Sequence, residues 1–387
     1  MHLYNLFNKP APPFFLHNRY LKEIRQNFRF RVILAVLPSG DMKFEAATIK
    51  DIAKALGLST STVSRALHDS HEISAETKEA VLEYAKKIKY HPNPIALSLR
   101  EKRSRSIGVI VAEIANSFFS QAINGIESVA NQKGYNVVIA QSLESYEREV
   151  KSMHFLASRS IDGCLVSISA ERNDFAHFTE LNDKGLPLVF FDRVVAAMDT
   201  HKVTSDNFGG AYEATAHLLR NGYSRIALLA NAVDLSITRS RLAGYAKALQ
   251  DHQVSFDETL VKYCIHGGMV QHETEQALLE LLQLDNKPDA VFASSDKLTT
   301  NCIRYCSTHK IKIPGELGLI GFSNLDITDL LSPSLSVIRQ PAFEMGKVAA
   351  DLLIKMIEAK RPVTQFESPL LPIELFARES SAKRPLA

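Results

Sequence analysis

Residues 48–105 read TIKDIAKALGLSTSTVSRALHDSHEISAETKEAVLEYAKKIKYHPNPIALSLREKRSR, and this stretch begins with a short helix pattern. Thr48, followed three residues later by Asp51, forms a capping signature at a helix N-terminus. Gly57 then supplies the positive φ that commonly ends a helix. Between them the apolar residues recur at helical spacing, which predicts one short amphipathic helix. Those residues are Ile49, Ile52, Ala53 and Leu56.

A second helix is predicted to begin after Ser59, which is a good N-cap residue. Val63, Ala66 and Leu67 share its apolar face. Small hydroxyl side chains crowd its N-terminus, where they suit phosphate oxygens and base edges, and an arginine one turn later can reach a guanine with two hydrogen bonds. We interpret it as the recognition helix of a helix-turn-helix. The polar residues are Thr60, Ser61, Thr62, Ser64 and Arg65.

Each of these polar residues also has a simpler interpretation. A single hydroxyl near a helix start is more often only a cap, and Arg65 alone could be a surface charge. The spacing of the whole set favours DNA reading over both alternatives. A third helix opens at Ser74 with Thr77, and its apolar face is predicted to close a small three-helix core. That face comprises Val81, Leu82, Ala85 and Ile88.

Four motifs carry a family resemblance: T-I-K-D-I-A, G-L-S, T-V-S-R-A-L and Y-H-P-N-P-I-A-L-S-L. They occur in the same order in the N-terminal domain of the lactose repressor (LacI/GalR) family, and residues 46–105 resemble that DNA-binding domain along their whole length. The resemblance implies base-reading positions and phosphate-contacting positions in the second helix. The base readers would be Thr60, Ser61 and Arg65, and the phosphate contacts Thr62 and Ser64.

Asn93 and Pro94 form a cap and a first-turn proline for a further short helix over residues 93–100. In the family this is the hinge helix, and the resemblance gives Asn93 and Leu99 DNA-contacting roles, with Leu99 as a wedge in the minor groove. Alternatively, Leu99 is a linker hydrophobe that docks on the next domain. We favour the wedge because four basic residues flank Leu99. We also expect so short a helix to fold only when it is bound to DNA and paired with the same helix of the second protomer.

Composition limits the class of protein. The chain has 387 residues, 45% of them hydrophobic and 23% charged, which is ordinary for a globular protein with more than one domain. The net charge is +2, whereas residues 48–105 hold eleven Lys and Arg against seven Asp and Glu, a net +4. This basic excess provides salt-sensitive affinity for nucleic acid. No run is long enough for a transmembrane helix, so we expect no membrane partner.

The four cysteines show no disulfide framework. Cys302 and Cys306, spaced i, i+4, predict one half-buried helix. Reduced thiols in a cytosol are the simplest interpretation, so a cytoplasmic location is expected. The other two cysteines are Cys164 and Cys264.

Residues 1–41 are basic and have no clear amphipathic period. Their one apolar run, residues 32–37, is weaker than the apolar core of a signal peptide, and no cleavage site follows it. Met42 begins M-K-F-E-A-A-T-I-K-D-I-A, where members of the family typically start. We therefore expect Met42 to be the initiator and residues 1–41 to be an over-long gene prediction or a disordered basic arm.

From residue 106 the pattern changes to apolar strands that alternate with helices. Continuous apolar strands separated by helices predict an α/β domain whose parallel sheets are covered on both faces. The last strand is expected near Leu375. Strands are predicted at 107–111, 137–140, 163–167, 188–191, 226–229, 290–292 and 317–320, and helices at 118–133, 147–158, 209–221, 241–251, 274–284 and 343–359.

Two consecutive series of this kind look like the two-lobed fold of periplasmic sugar-binding proteins, which the family carries behind its DNA-binding head. The effector-binding and dimerisation domain would span residues 106–380. We expect the chain to cross between lobes near residues 204–206 and 337–340. Lobe 1 would then comprise about 106–204 and 339–364, and lobe 2 about 205–338 and 365–380.

Ligands in such folds bind between the lobes, at the carboxyl ends of strands. Asp192 ends V-F-F-D-R, where a carboxylate can accept sugar hydroxyls, and Arg193 lies beside it. By resemblance, Phe119 packs on the effector and Arg241, in S-R-L-A-G-Y, holds it with a fork of donors. Core packing is the alternative for Phe119 and fits Phe118 equally well. Ser323, in G-F-S-N, occupies a place that the family usually gives to aspartate.

These features together predict a DNA-binding transcriptional regulator. The family resemblance implies that it is a repressor and that its effector is a sugar or sugar derivative. A homodimer on palindromic double-stranded operator DNA is expected because one head reads only a half-site. A periplasmic sugar receptor would leave residues 48–99 unexplained. An enzyme is disfavoured because the chain has no P-loop and no G-x-G-x-x-G after a strand, and 272–276 lacks the second histidine of H-E-x-x-H. We expect no metal and no cofactor.

Overall fold

The computed structural model describes residues 47–91, 103–171 and 174–382. The chain forms two compact units that divide between His91 and Pro92. The predicted extension over residues 1–41 and the predicted hinge helix over 93–100, with Asn93 and Leu99, lie outside the described residues. In the described part of the chain, no helix combines the length and the apolar character needed to cross a membrane.

The first unit contains the three predicted helices: α1 at Ile49–Leu56, α2 at Thr60–Leu67 and α3 at Ala75–Lys87. The capping box at the start of α1 is confirmed, because the Thr48 hydroxyl accepts from the Asp51 N–H and the Asp51 carboxylate accepts from the Thr48 N–H at 2.8 Å. Gly57 ends α1 with φ 66°. Ser59 and Ser74 cap α2 and α3 as predicted.

The core of this unit is small and lies where the three helices meet. Ile52, Val63 and Val81 are fully buried, and Ala66 and Ala85 are nearly so.

One predicted core residue is wrong. Leu82 is 53% exposed, because successive residues of a helix point about 100° apart and Val81 already faces the core.

The second unit contains two six-stranded sheets, and the first defines lobe 1. Its strands are β1 at Ser106–Val111, β2 at Asn136–Gln141, β3 at Gly163–Val166, β4 at Leu188–Phe191, β5 at His201–Ser205 and β11 at Leu370–Leu371. The sheet is parallel throughout, in the order β11-β5-β4-β3-β1-β2. Its helices are α4 at Ser117–Gln132, α5 at Tyr146–Ser158, α6 at Ala176–Asp183 and α11 at Ala342–Glu358.

The second sheet defines lobe 2 and has the order β12-β10-β9-β8-β6-β7. It is parallel except for β12, which runs antiparallel to β10. Its strands are β6 at Ile226–Ala230, β7 at Val261–Tyr263, β8 at Ala290–Ala293, β9 at Gly318–Phe322, β10 at Ser336–Arg339 and β12 at Glu374–Phe376. Its helices are α7 at Asn207–Arg220, α8 at Ser236–Asp251, α9 at Gln271–Leu282 and α10 at Asp296–Thr308.

The chain passes between the lobes after β5, after β10 and after β11. The first two passages occur where the sequence predicts them. The assignment of residues 365–371 to lobe 2 is wrong, because Leu370 and Leu371 pair with Thr204 and Ser205 in the first sheet. This segment provides acceptors for the open edge of β5, since the N–H groups of 202, 204 and 206 donate to the carbonyls of 367, 369 and 371.

Candidate DNA-reading helix and effector cleft

The N-terminus of α2 carries a cluster of hydroxyl groups. The Ser59 hydroxyl lies 2.7 Å from Ser61 Oγ and 2.8 Å from Thr62 Oγ1, and it also caps the helix by accepting from the Thr62 N–H at 3.0 Å. Thr60 and Ser61 are exposed, whereas Thr62 and Ser64 are half-buried. The predicted base readers are therefore the more accessible residues of the set.

Arg65 follows these hydroxyls by one turn and is also exposed. Its Nη1 lies 2.8 Å from Oε2 of Glu72, which belongs to the turn between α2 and α3. The predicted DNA-reading arginine thus has a carboxylate partner within the head, which the sequence analysis did not identify.

In the second unit, polar residues lie at the carboxyl ends of strands from both sheets. Parallel strands place their carboxyl ends at one edge of a sheet, where ligands bind in folds of this kind. All of these side chains are buried although they are polar, and each of them ends a strand or directly follows one. They are Ser142, Ser167, Asp192 and Ser205 in lobe 1, and Asn231, Ser294 and Ser323 in lobe 2.

Arg241 enters this region from α8 and is buried, with 4% exposure. Its Nε donates to Asn207 Oδ1 at 2.9 Å, and its two other nitrogens donate to the Ser294 carbonyl and to Gln340 Oε1. The guanidinium lies 3.8 Å from the centroid of the Phe322 ring. Burial lowers the pKa of Arg241 to about 10, and the charge of Asp192 opposes that shift.

Gln340 and Asn324 connect the two lobes beside Arg241. The Gln340 side chain donates to Ser205 Oγ at 2.8 Å, and its backbone N–H donates to Asn324 Oδ1 at 3.1 Å. Asn324 in turn donates to Gln121 Oε1 on α4 at 2.8 Å. Neither residue was predicted from the sequence, although Gln340 directly follows β10 and Asn324 is the second residue after β9.

Asp192 has a φ of 59° and is buried, with 5% exposure. Burial raises the pKa of Asp192, while the charges of Arg193 and Arg241 lower it in part. Arg193 is already engaged: it donates to both carboxylate oxygens of Glu144, at 2.6 and 2.8 Å, and to the Ile168 carbonyl at 3.3 Å. Its guanidinium fork is therefore directed at Glu144.

The two phenylalanines of α4 are both buried in the core of lobe 1. Phe119 is 4% exposed and meets Phe118 and Phe191 edge-on, with ring centroids 5.3 and 6.5 Å away. These contacts correspond to the core-packing alternative, which holds for Phe118 as well. An effector contact by Phe119 stays a prediction.

Ser323 forms a hydrogen bond within the protein. Its hydroxyl donates to Asp296 Oδ1 at 2.6 Å, and the Asn324 N–H donates to the same oxygen at 2.8 Å. The other oxygen of Asp296 accepts from the Phe118 N–H of lobe 1 at 3.3 Å. Burial raises the pKa of Asp296, and these hydrogen bonds oppose that shift. A carboxylate thus approaches lobe 1 from α10, although residue 323 is a serine.

Several buried polar atoms at these strand ends and in the first turn of α8 have no hydrogen-bond partner among the described residues. Buried polar groups are normally paired, and hydroxyls can both donate and accept. This region can therefore form further hydrogen bonds to a polar molecule. The atoms are Ser142 Oγ, Ser167 Oγ, Asn231 Oδ1, Ser236 Oγ and Thr238 Oγ1.

A cavity of about 450 Å³ opens between the lobes, and its lining includes Leu143 and Ala232, which directly follow the unpaired Ser142 and Asn231. Its volume lies within the range typical of small-molecule sites, roughly 300–1,000 Å³. Lobe 1 and lobe 2 both line it, so its shape depends on how far the lobes close. Its lining includes Leu143, Glu144 and Ala170 from lobe 1 and Ala232, Ile265 and His266 from lobe 2.

Comparison with known proteins agrees with this architecture. Residues 48–93 match the model of bacterial regulatory proteins of the lacI family, and residues 215–381 match the periplasmic binding protein-like domain. The transcriptional repressor CytR of Escherichia coli K12 is 31% identical over 340 residues, which are 88% of this chain and 98% of CytR.

Two solved structures share the fold. The complex of the transcriptional regulator CelR with cellobiose aligns with a TM-score of 0.64 at 28% identity, covering 86% of this chain and 99% of CelR. The lac repressor dimer bound to operator and an anti-inducer aligns with a TM-score of 0.73 at 24% identity, covering 87% of this chain and all of that one. The chain therefore belongs to the LacI family: it is a DNA-binding transcriptional repressor with a periplasmic-binding-protein-like effector domain.

Proposed function

We propose that the effector is a sugar or sugar derivative that binds between the lobes. The observation that carries the proposal is the set of buried, unpaired hydroxyl and amide groups at the strand ends and at the start of α8, the helix that also carries Arg241. Such groups match the alternating donors and acceptors of a polyol. CelR, which is similar to this chain, has been solved with cellobiose.

Within this site we assign Arg241 to direct hydrogen bonds with the effector, because the guanidinium has five donors and its three bonds within the protein leave others. Asp192, in lobe 1, would accept hydrogen bonds from hydroxyl groups of the effector. Arg193 would act through the network, by pairing with Glu144 and lying 3.9 Å from Asp192. Phe119 would provide an apolar wall, and Ser323 would hold Asp296 in place.

A thermal-shift screen of the full chain tests this proposal. The panel contains monosaccharides, disaccharides, sugar phosphates and purine nucleosides, and a ligand at about 100 times its Kd should stabilise the domain by roughly 2.7 kcal/mol. Arg241→Lys retains the charge but loses the planar fork, so a true hit should weaken strongly in this variant. A stabilising purine without a stabilising sugar would overturn the sugar assignment.

For DNA, we propose that Thr60, Ser61 and Arg65 read bases, while Thr62 and Ser64 contact phosphates. The exposed positions of the first three and the half-buried positions of the others support this division. The proposed operator is palindromic, and Asn93 and Leu99 would add contacts to its centre. Arg65→Ala should cost roughly 1–3 kcal/mol on the operator and relax one base position per half-site. An equal loss on random DNA would instead identify Arg65 as a phosphate contact.

We further propose that the effector domain dimerises through the β2 and β7 edges of its two sheets. These strands end their respective sheets and carry exposed apolar side chains, which commonly mark an interface. A charge introduced there, as in Ile139→Lys, should shift the chain to a monomer in sedimentation experiments. The exposed residues are Val138, Ile139, Tyr263 and the nearby Ile265.

The effector site and the DNA-binding head would be coupled through closure of the lobes. A ligand shifts such an equilibrium only by its differential affinity for the open and closed forms, so effector and operator must affect each other's binding by the same factor. Titrating operator DNA with and without the identified ligand gives the sign of the effect, and the reciprocal titration of ligand with and without operator checks the coupling.

A further inference from the structure

The ion pair between Arg65 and Glu72 lies on the surface of the DNA-binding head. Oε2 of Glu72 is 2.8 Å from Nη1 of Arg65, and the two side chains are 53% and 58% exposed. Exposed pairs of this kind add little to the stability of a fold. The contact is therefore of interest for what it does to Arg65 and not for what it adds to the stability of the head.

The turn that carries Glu72 is fixed to both neighbouring helices. The Ser70 N–H donates to the Arg65 carbonyl at 3.0 Å. Asp69, which has a φ of 54°, accepts from Lys78 Nζ at 2.7 Å, and the Lys78 side chain is largely buried, at 21% exposure. Because the turn is held at both ends, the backbone of Glu72 has a defined position relative to α2.

The hydrogen-bonding capacity of Arg65 is not exhausted by this pair. A guanidinium has five N–H donors, and a guanine edge requires two of them. A carboxylate on Nη1 therefore orients the planar group and leaves enough donors for a base.

The same carboxylate is unfavourable near DNA phosphates. Non-specific affinity comes from cations that neutralise phosphates, and the segment that contains the head carries a net charge of only +4. A negative charge beside Arg65 weakens the attraction of Arg65 to the DNA backbone, and only a hydrogen-bonded base edge offsets this loss. Glu72 would thus lower affinity for all DNA while it favours the base that the oriented guanidinium fits.

We propose that Glu72 is a positioning residue that determines specificity: it orients Arg65 for a base edge and discourages Arg65 from binding phosphate. This inference rests on the proposed base-reading role of Arg65. It assigns to the turn after α2 a part in sequence choice, although Glu72 itself need not touch DNA.

The test uses the full chain and selection from random double-stranded DNA. Wild type, Glu72→Gln and Arg65→Ala are compared with Glu79→Gln, which removes the same charge from an exposed position on α3. Binding to the selected site, to its single-base variants and to random DNA is then measured by fluorescence anisotropy at several salt concentrations. Thermal melts verify that each variant is folded.

Both glutamine variants should bind random DNA more tightly than wild type. Only Glu72→Gln should lose preference at the base pair that Arg65→Ala relaxes, by about two- to fivefold, which corresponds to the energy of one such ion pair. The inference is overturned if Arg65→Ala relaxes the preference at its base pair but Glu72→Gln keeps the preference of wild type or of Glu79→Gln. An unchanged preference in Arg65→Ala overturns the base-reading role of Arg65 and the inference with it.

Discussion

Ser323 occupies a position where the family resemblance places an aspartate, and its hydroxyl donates to Asp296 at 2.6 Å. Asp296 reaches this region from the start of α10 and also accepts from the Phe118 N–H of lobe 1. The carboxylate in this region is therefore that of Asp296, which bonds across the lobes, and position 323 is a serine. A carboxylate at both positions would place two buried negative charges side by side.

Restoring the family residue should therefore destabilise this chain. For Ser323→Asp we expect a loss of about 3 kcal/mol in the free energy of unfolding at pH 8, which is typical of an uncompensated buried charge. Burial already raises the pKa of Asp296, and a second carboxylate raises it further. A raised pKa in the folded state means that the fold binds a proton more tightly than the unfolded chain does, so the deficit should shrink as the pH falls from 8 to 5.

Ser323→Asn is the matched control, since asparagine has the size of aspartate without its charge. Its deficit should be smaller and nearly independent of pH in urea titrations at pH 8 and pH 5. If Ser323→Asp and Ser323→Asn lose the same free energy of unfolding at pH 8 and at pH 5, the size of the side chain, and not its charge, limits this position.

Single residues of the site could be predicted only as far as local sequence determines them. Asp192 follows an apolar strand, and Arg241 lies in a recognisable helix motif, so both were predicted, and the structure buries both at the lobe junction. The engagement of Arg193 could not be predicted, because its partner Glu144 is 49 residues distant in the chain. Asp296 was missed for the same reason: its partners are Ser323 and Asn324, which follow β9, and Phe118 of the other lobe.

At the scale of elements, helices α4 and α11 cross at unusually close range in lobe 1. A Cβ on Gly125 would lie 2.0 Å from the Phe343 carbonyl oxygen, and a Cβ on Gly346 would lie 2.0 Å from the Ala122 carbonyl oxygen. No side chain fits at either position, so each glycine permits direct backbone contact between the helices. This crossing fixes the last long helix of the chain to the first helix of the lobe.

Gly125→Ala should separate the two helices. We expect a loss of about 3 kcal/mol in the free energy of unfolding of the effector domain, at the upper end of overpacking costs, measured by urea denaturation. Gly315→Ala is the control, because the nearest atom to its Cβ would be Lys312 Cβ at 3.7 Å. That variant should be neutral or slightly stabilising, and similar losses in both would exclude the close crossing as the cause.

Elements with a strong apolar signature were predicted within a few residues, including β4 at its observed bounds. The missed elements lack such a signature. Strand β5 alternates buried and half-buried residues along H-K-V-T-S, and α6 has only eight residues, most of them polar. Strand β11 has two residues and exists because it pairs with β5, which no local pattern reveals. For that reason the boundary after residue 364 was misplaced.

At the scale of the whole effector domain, the lobes are also joined by contacts that do not involve Arg241 itself. Lys297 Nζ on α10 is 2.9 Å from Glu113 Oε2, which follows β1 in lobe 1. The side chain of Gln121 on α4 meets Asn324 and Asp326 of lobe 2. These contacts require the lobes to be close together, so they favour closure whether or not an effector contributes.

Lys297→Gln should shift this balance toward the open form. The lysine and glutamate side chains are 36% and 20% exposed, so the pair is worth at most about 1 kcal/mol, and we expect about two- to fivefold weaker effector binding by calorimetry. X-ray scattering should show a larger mean radius of gyration without effector. Lys287→Gln, an exposed lysine of the same lobe, is the control and should match wild type. If Lys297→Gln and Lys287→Gln bind the effector equally well, closure does not depend on the Glu113 pair, and the contacts around Asn324 and Asp296 must maintain it.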